Sequence, residues 1–238
     1  MKKILVAVSI LVVASFAFMK FGRSIWVPIY TQMKGRETVK SIVHKIGNTA
    51  LNRLQPDLTA AGFQSLPHEI ALVAIKQDQI LEVWGKLDSE WMLIKNYPFT
   101  AYSGNPGPKL REGDKQIPEG IYEIEYLNPN SLFYLSMKVS YPNEFDKEKA
   151  TEDGRSDIGT DIFIHGKDNT VGCIPIGDKA IEEVFVLASK TIENNIRVVI
   201  SPVDFRLTNY RPSVANINWE EELYTTLEKE LKKFSQVR

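Results

Sequence analysis

Two side chains in this 238-residue chain have the types and spacing of a nucleophile and its base: Cys173, and His165 eight residues before it. Cys173 is the sole cysteine, and His165 is one of three histidines. A thiol of ordinary pKa, ~8.5, is only a few per cent thiolate at neutral pH. A neighbouring imidazole can lower that pKa by stabilising the thiolate, and can return the proton to a leaving group. Gly166 and Gly172 permit a tight reversal between the two. Backbone N–H groups around Gly172 and Cys173 can form an oxyanion hole, because glycine lets a carbonyl approach closely. The Thr170 hydroxyl can orient the same loop. On these residues alone the inert alternative stays open: a lone buried cysteine is commonly a small apolar filler.

Alternation of Ile162 and Ile164 predicts a strand that ends on His165. Upstream, Lys34 to Leu54 has helical apolar spacing, ended by Pro56, with a connection from Gln55 to Pro67. The runs 70–75 and 80–84 around Gln77-Asp78-Gln79 read as a hairpin, and 91–97 as a third strand. The Gly- and Pro-rich stretch Tyr102 to Tyr122 reads as a scaffold loop in preference to a substrate-contacting one. Strands follow over 121–126 and 132–139, then a charged surface loop over 143–160. Asp178 can cap a helix buried through Ile181, Val184, Phe185, Ala188 and Ile192. A strand over 197–201 precedes a last helix that Asn218 and Glu221 can open as a capping box. His44 and His68 fall where surface roles suffice.

An apolar content of 43% is enough for one sizeable core plus a helical appendage. The formal net charge of -1 gives no basic field for nucleic acid. Lys2 and Lys3 precede an uncharged apolar run from Ile4 to Met19, the pattern of a secretory signal or signal anchor, short of the ~20 residues of a usual membrane span. The expectation is an exported protein, in the periplasm or on the outer face of the cytoplasmic membrane, that touches the membrane only through this segment. One cysteine permits no intrachain disulfide. Neither the histidines nor Asp153, Asp157 and Asp161 have metal-ligand spacing, so no metal is expected, and thiol acyl transfer needs no cofactor.

Ile164-His165-Gly166 followed by Thr170-Val171-Gly172-Cys173 resembles the active-site signature of the L,D-transpeptidase (YkuD-type) catalytic domain. Upstream, Trp91-Met92-Leu93, Tyr97-Pro98, Ser103-Gly104, Gly107-Pro108-Lys109-Leu110 and Glu112-Gly113-Asp114 are similar to a branch of murein L,D-transpeptidases in order and spacing. Pro118-Glu119-Gly120-Ile121-Tyr122, Leu127-Asn128-Pro129-Asn130-Ser131, Tyr141-Pro142-Asn143 and Phe205-Arg206 continue the likeness, which covers about residues 70–207. It implies an α+β, mainly β fold, with an N-terminal helical segment and a C-terminal helix. Together with the N-terminal pattern, this gives an expected division into 1–23 signal peptide or signal anchor, 24–67 helical stalk or appendage, 68–207 catalytic domain and 208–238 C-terminal helical extension.

The resemblance further implies cysteine acyl transfer on peptidoglycan stem peptides. Cys173 would be the nucleophile, His165 the proton donor and acceptor, and Gly172 and Cys173 would lie at the oxyanion hole, with Thr170 and Gly166 in support. Arg206 is a candidate for recognising a substrate carboxylate, with a structural salt bridge as the competing role. The acceptor stays open: an amine gives transpeptidation, and water gives hydrolysis of a cross-link or of a wall-lipoprotein amide. A non-catalytic wall-binding protein is the alternative outside enzymology.

Overall fold

The computed structural model describes residues 2–215 and 217–235; Met1 and residues 216 and 236–238, which the domain division includes, lie outside the described residues. Strand β1 (Ile70–Ile75) is buried along its whole length. Ile70, Leu72 and Ala74 enter one apolar cluster, and Ala71, Val73 and Ile75 enter another. A strand apolar on both faces needs two covers. On the first face lie α3 (Val39–Ala60), through Leu54 and Leu58, and α5 (Asp178–Thr191), through Ile181, Val184, Phe185 and Ala188. On the second lies α6 (Glu220–Leu231), through Leu223, Tyr224, Leu227 and Leu231.

The remaining strands are β2 (Ile80–Leu87), β3 (Glu90–Pro98), β4 (Gly120–Ser131), β5 (Tyr134–Val139), β6 (Phe163–His165), β7 (Ile174–Pro175) and β8 (Arg197–Ser201). They form one eight-stranded sheet in the order β3-β2-β1-β8-β4-β5-β6-β7. The pairs β1–β8 and β6–β7 are parallel and the others antiparallel. The fold is therefore α+β and mainly β, as expected. The short strands β6 and β7 sit at one edge, where the chain is free to turn.

Several local expectations need correction. Helix α3 starts five residues later than predicted and runs through Pro56 to Ala60, so most of the expected connection is helical. A proline inside a helix costs about 3 kcal/mol; burying Leu54 and Leu58 beneath the sheet contributes about 2 kcal/mol each and outweighs it. The start is fixed by a capping box between Thr38 and Ser41. Residues 143–160 are not all loop: Asn143 and Asp146 cap each other's backbone and open α4 (Glu144–Glu152). Helix α6 has no capping box, because Trp219 stands at its cap position and makes no side-chain cap bond. Asp178 does not cap α5; its carboxylate turns back to Lys167.

Ahead of the sheet lie α1 (Lys2–Phe21) and α2 (Arg23–Lys34), broken at Gly22. Among the described residues no single helix is long and apolar enough to cross a membrane; Val8–Met19 and Arg23–Tyr30, bent by 74°, together have the length and composition of a broken span.

Candidate active site

Strand β6 carries Ile164 into the core and pairs His165 with Ser136 of β5 and Pro175 of β7. His165 is consequently buried, 1% exposed. Its Nδ1 lies 2.5 Å from the Gly166 carbonyl oxygen. A carbonyl only accepts, so Nδ1 carries the proton and Nε2 carries the lone pair. That Nε2 is buried and has no hydrogen-bond partner. Burial pulls the imidazole down to about 4, against the Gly166 hydrogen bond, so the ring is neutral at pH 7.

The turn that returns to Cys173 is tied at each step. Lys167 adopts φ +63°, its N–H donates to Asp178 Oδ1 at 3.0 Å, and its ammonium pairs with the same carboxylate. Thr100 Oγ1 donates to the Lys167 carbonyl at 2.5 Å. Thr170 Oγ1 donates to the Cys173 carbonyl at 2.7 Å, the loop-orienting contact expected of it. Gly172 has φ +104°, and a Cβ there would meet the Gln116 carbonyl at 2.8 Å, so only glycine fits. Its N–H is engaged, donating to Ser103 Oγ at 2.8 Å. A Cβ on Gly166 would meet Asp178 Oδ1 at 2.7 Å and the Phe133 carbonyl at 2.8 Å; that glycine therefore serves close packing.

Cys173 is half-buried, and its thiol donates to the Asp161 carbonyl at 3.6 Å. Burial pushes the thiol above its ordinary range, against the opposing pull of the Phe163 main chain and Lys138. The sequence-based expectation that the histidine lowers the thiol pKa is therefore reversed in the resting site. A desolvated neutral imidazole offers no charge to stabilise a thiolate, and both groups rest uncharged.

His165 and Cys173 nonetheless open on one cleft of about 550 Å³, with Ala101, Tyr102, Phe133, Thr170 and Val171 among its other walls. The Tyr102 hydroxyl is buried without a partner, and burial pushes it up to about 12. A second depression of about 600 Å³ begins at Asp161 and is bordered by Glu112, Lys147, Arg155 and Asp157.

Arg206 is not at the cleft. Its guanidinium donates to Glu82 Oε1, Asp204 Oδ1 and the Phe234 carbonyl, each at 2.7 Å, and lies over Trp84. It is a salt bridge on the α6 side of the sheet and holds no donor out for a substrate. The stretch Tyr102 to Tyr122 is not merely scaffold, since Tyr102 lines the cleft and Ser103 and Gln116 pack on Gly172. Ser103, Tyr102 and Phe133 are the site residues that sequence reasoning missed as individuals; for the first two, the glycine beside Ser103 was the available signal. Among the described residues no group of three His, Cys, Asp or Glu side chains is arranged to hold a metal ion.

Solved structures similar to this chain include the helical cell shape determining protein Pgp2 from Campylobacter jejuni, with TM-score 0.47, 17% identity and coverage of 77% of this chain and 78% of that one. Another is Bd1075 from Bdellovibrio bacteriovorus, with TM-score 0.42, 18% identity and coverage of 73% and 63%. In sequence, the chain is 28% identical over 151 residues to the proteins named "Putative L,D-transpeptidase YafK" in Escherichia coli K12 and O157:H7, a match covering 61% of this chain. The chain spans 58% of the length of those curated relatives. The family model for the L,D-transpeptidase catalytic domain, YkuD, matches residues 69–200, which contain β1 to most of β8 and both His165 and Cys173. By that match over more than half of its length, the chain belongs to the YkuD L,D-transpeptidase catalytic-domain family.

Proposed function

We propose that this protein is a cysteine-dependent acyltransferase acting on peptidoglycan stem peptides, with Cys173 as nucleophile and His165 as base. The observation that carries the reading is the shared cleft: a half-buried thiol opens on the same space as an imidazole whose Nε2 is unpaired and holds a lone pair. A buried polar atom without a partner is costly and calls for an explanation, and accepting a proton from the nucleophile is one.

The chemistry begins from neutral partners. As substrate fills the cleft, the thiol passes its proton to His165 Nε2, and the sulfur attacks the carbonyl carbon of the stem peptide's amide. The tetrahedral oxyanion is met by main-chain N–H groups at Gly172 and Cys173; to donate, the Gly172 amide must release Ser103 Oγ. The imidazolium then gives its proton to the leaving amine, the C–N bond breaks, and a thioester remains on Cys173. An incoming amine, from another stem peptide or a wall-linked lipoprotein, restores an amide and frees the thiol. Water in its place yields a carboxylic acid, and the enzyme is then a hydrolase.

Intact-mass spectrometry tests the acyl-enzyme. Incubation with stem tetrapeptide should add one acyl group to the parent chain and none to Cys173→Ala; absence of any adduct on the parent would reject the acyl-transfer reading and leave a wall-binding role. Muropeptide analysis then separates acceptors, with new dimers indicating an amine and monomers alone indicating water. The exposed apolar helix α1 further supports an exported protein held by its N-terminus. A phosphatase reporter fused after residue 238 should be active in the periplasm, and a purely cytoplasmic signal would reject that location.

A further inference from the structure

The β4–β5 turn is built around one aromatic ring. Phe133 lies against the His165 imidazole in a tilted ring contact, with centroids 4.5 Å apart and planes inclined by 33°, and both rings line the same cleft. Its backbone is fixed from several directions. The Phe133 N–H donates to Ser131 Oγ at 3.0 Å. The next residue, Tyr134, takes the left-handed φ of +78° and donates its hydroxyl to Glu182 of α5 at 2.6 Å. At the other end of the turn, Asn130 exchanges two hydrogen bonds with the Glu37 backbone just ahead of α3, at 2.9 and 2.8 Å. The Phe133 carbonyl sits so close to Gly166 that no side chain fits there. A half-buried phenylalanine on a turn does not need this much anchorage for its own packing.

We propose that Phe133 is a positioning residue for His165: its ring covers one face of the imidazole, keeps water from it, and holds Nε2 directed at the cleft. The inference rests on the reading of His165 as the base. The ionisable groups around the imidazole are Cys173 and Asp168 on the turn and Tyr102 on the facing loop, all lining the cleft, with Lys167 paired to Asp178 beside them. Among the described residues no charged side chain hydrogen-bonds to His165, whose proton state follows from cover and from the Gly166 carbonyl. The cover therefore decides how basic Nε2 is, and the ring contact decides where it points.

The test uses the full chain with labelled histidine. In Phe133→Ala, the His165 titration followed by NMR should move up by about 1 unit or more, toward the ordinary histidine range. Turnover of stem peptide should fall roughly tenfold in kcat with KM nearly unchanged, and Phe133→Tyr, which keeps a ring, should restore both. Should Phe133→Ala not fold, Phe133→Leu, which keeps apolar cover without the ring contact, should leave the titration near the parent's and lower kcat alone; a parent-like kcat then overturns the proposal. An unmoved titration with kcat intact overturns the proposal while leaving the acyltransferase reading standing. A moved titration in a protein that never acylates, parent included, supports the positioning and removes the acyltransferase reading.

Discussion

Lys76, just after β1, and His165, at the end of β6, are both buried ionisable groups at strand ends, and their surroundings differ in one respect. The Lys76 ammonium has three protons and three acceptors: the Gly107 and Ile117 carbonyls and Glu119 Oε1, at 2.7, 2.8 and 2.7 Å. Both partners of that ion pair are fully buried, and Glu119 also receives the Gly107 N–H. His165 has one nitrogen satisfied and the other left open toward a cleft. In a low-dielectric interior every unmade hydrogen bond is expensive. The Lys76 ammonium, with all its protons used, acts as a strut even though Glu119 Oε2 beside it has no hydrogen-bond partner, whereas the open His165 nitrogen faces a cleft that a ligand can enter. Lys76 and Glu119 fasten the glycine-rich loop whose Ser103 and Gln116 press on Gly172. The contacts of Lys76 thus hold the loop that backs the cleft.

Breaking each side of this comparison gives different signatures. The largest effect is expected for Cys173→Ala, with turnover down by about 10⁴-fold or more and a thermal midpoint close to the parent's, because the thiol is a minor packing element. Lys76→Met should do the reverse. Leaving Glu119 buried without its cation costs roughly 3–5 kcal/mol in urea denaturation, while Cys173 alkylation per folded molecule stays near the parent rate. An unchanged denaturation midpoint in Lys76→Met would show that the buried ion pair is no strut.

A pH effect of about 3 kcal/mol sharpens it. His165 titrates at about 4 in the fold and near 6.5 when unfolded. Between those values only the unfolded chain holds the proton, so the stability His165 contributes is present above pH 6.5 and lost as pH falls to 4. Asp146 has the opposite sign: burial raises it from 3.8 to about 6, so the fold holds the proton first and is favoured as pH falls from 6 to 3.8. The two contributions are each about 3 kcal/mol and nearly cancel. Urea midpoints should therefore gain with acidification in His165→Gln and fall in Asp146→Asn. Parallel pH profiles for parent and His165→Gln would show that the imidazole is not buried neutral. The smallest effect is on substrate binding by Arg206→Lys, where KM should stay within about twofold while stability drops; a large rise in KM would return Arg206 to the site.

The sheet was legible in the sequence because short apolar, β-branched and aromatic runs are bounded by turn residues: 70–75, 80–84 and 91–97 lie inside observed strands. The candidate pair was legible because the sole cysteine stands near a histidine, with a glycine just after His165 and another just before Cys173. Helix α4 was not, since only Lys149 and Ala150 are buried and no apolar stripe marks it. Phe133 and Ser103 are common residue types, 32 and 69 positions from the residues they touch, and only the glycine beside Ser103 gives a local signal for either. The resting protonation of the pair was misread for a related reason. Spacing reveals who can meet, whereas the pKa of each group depends on how much water the finished fold leaves around it.

On the mechanism proposed above, the hydrogen bond from Gly172 to Ser103 makes oxyanion binding an exchange. An oxygen that takes the Gly172 amide must first win it from a hydroxyl already in place, at the cost of one internal hydrogen bond of about 1 kcal/mol, or roughly a fivefold handicap. A weakly basic or badly aimed oxygen loses that contest and leaves the loop as it was. A well-aimed carbonyl would free the Ser103 hydroxyl as it settles, so the proposed oxyanion site would carry its own competitor and favour the oxygen that outbids it.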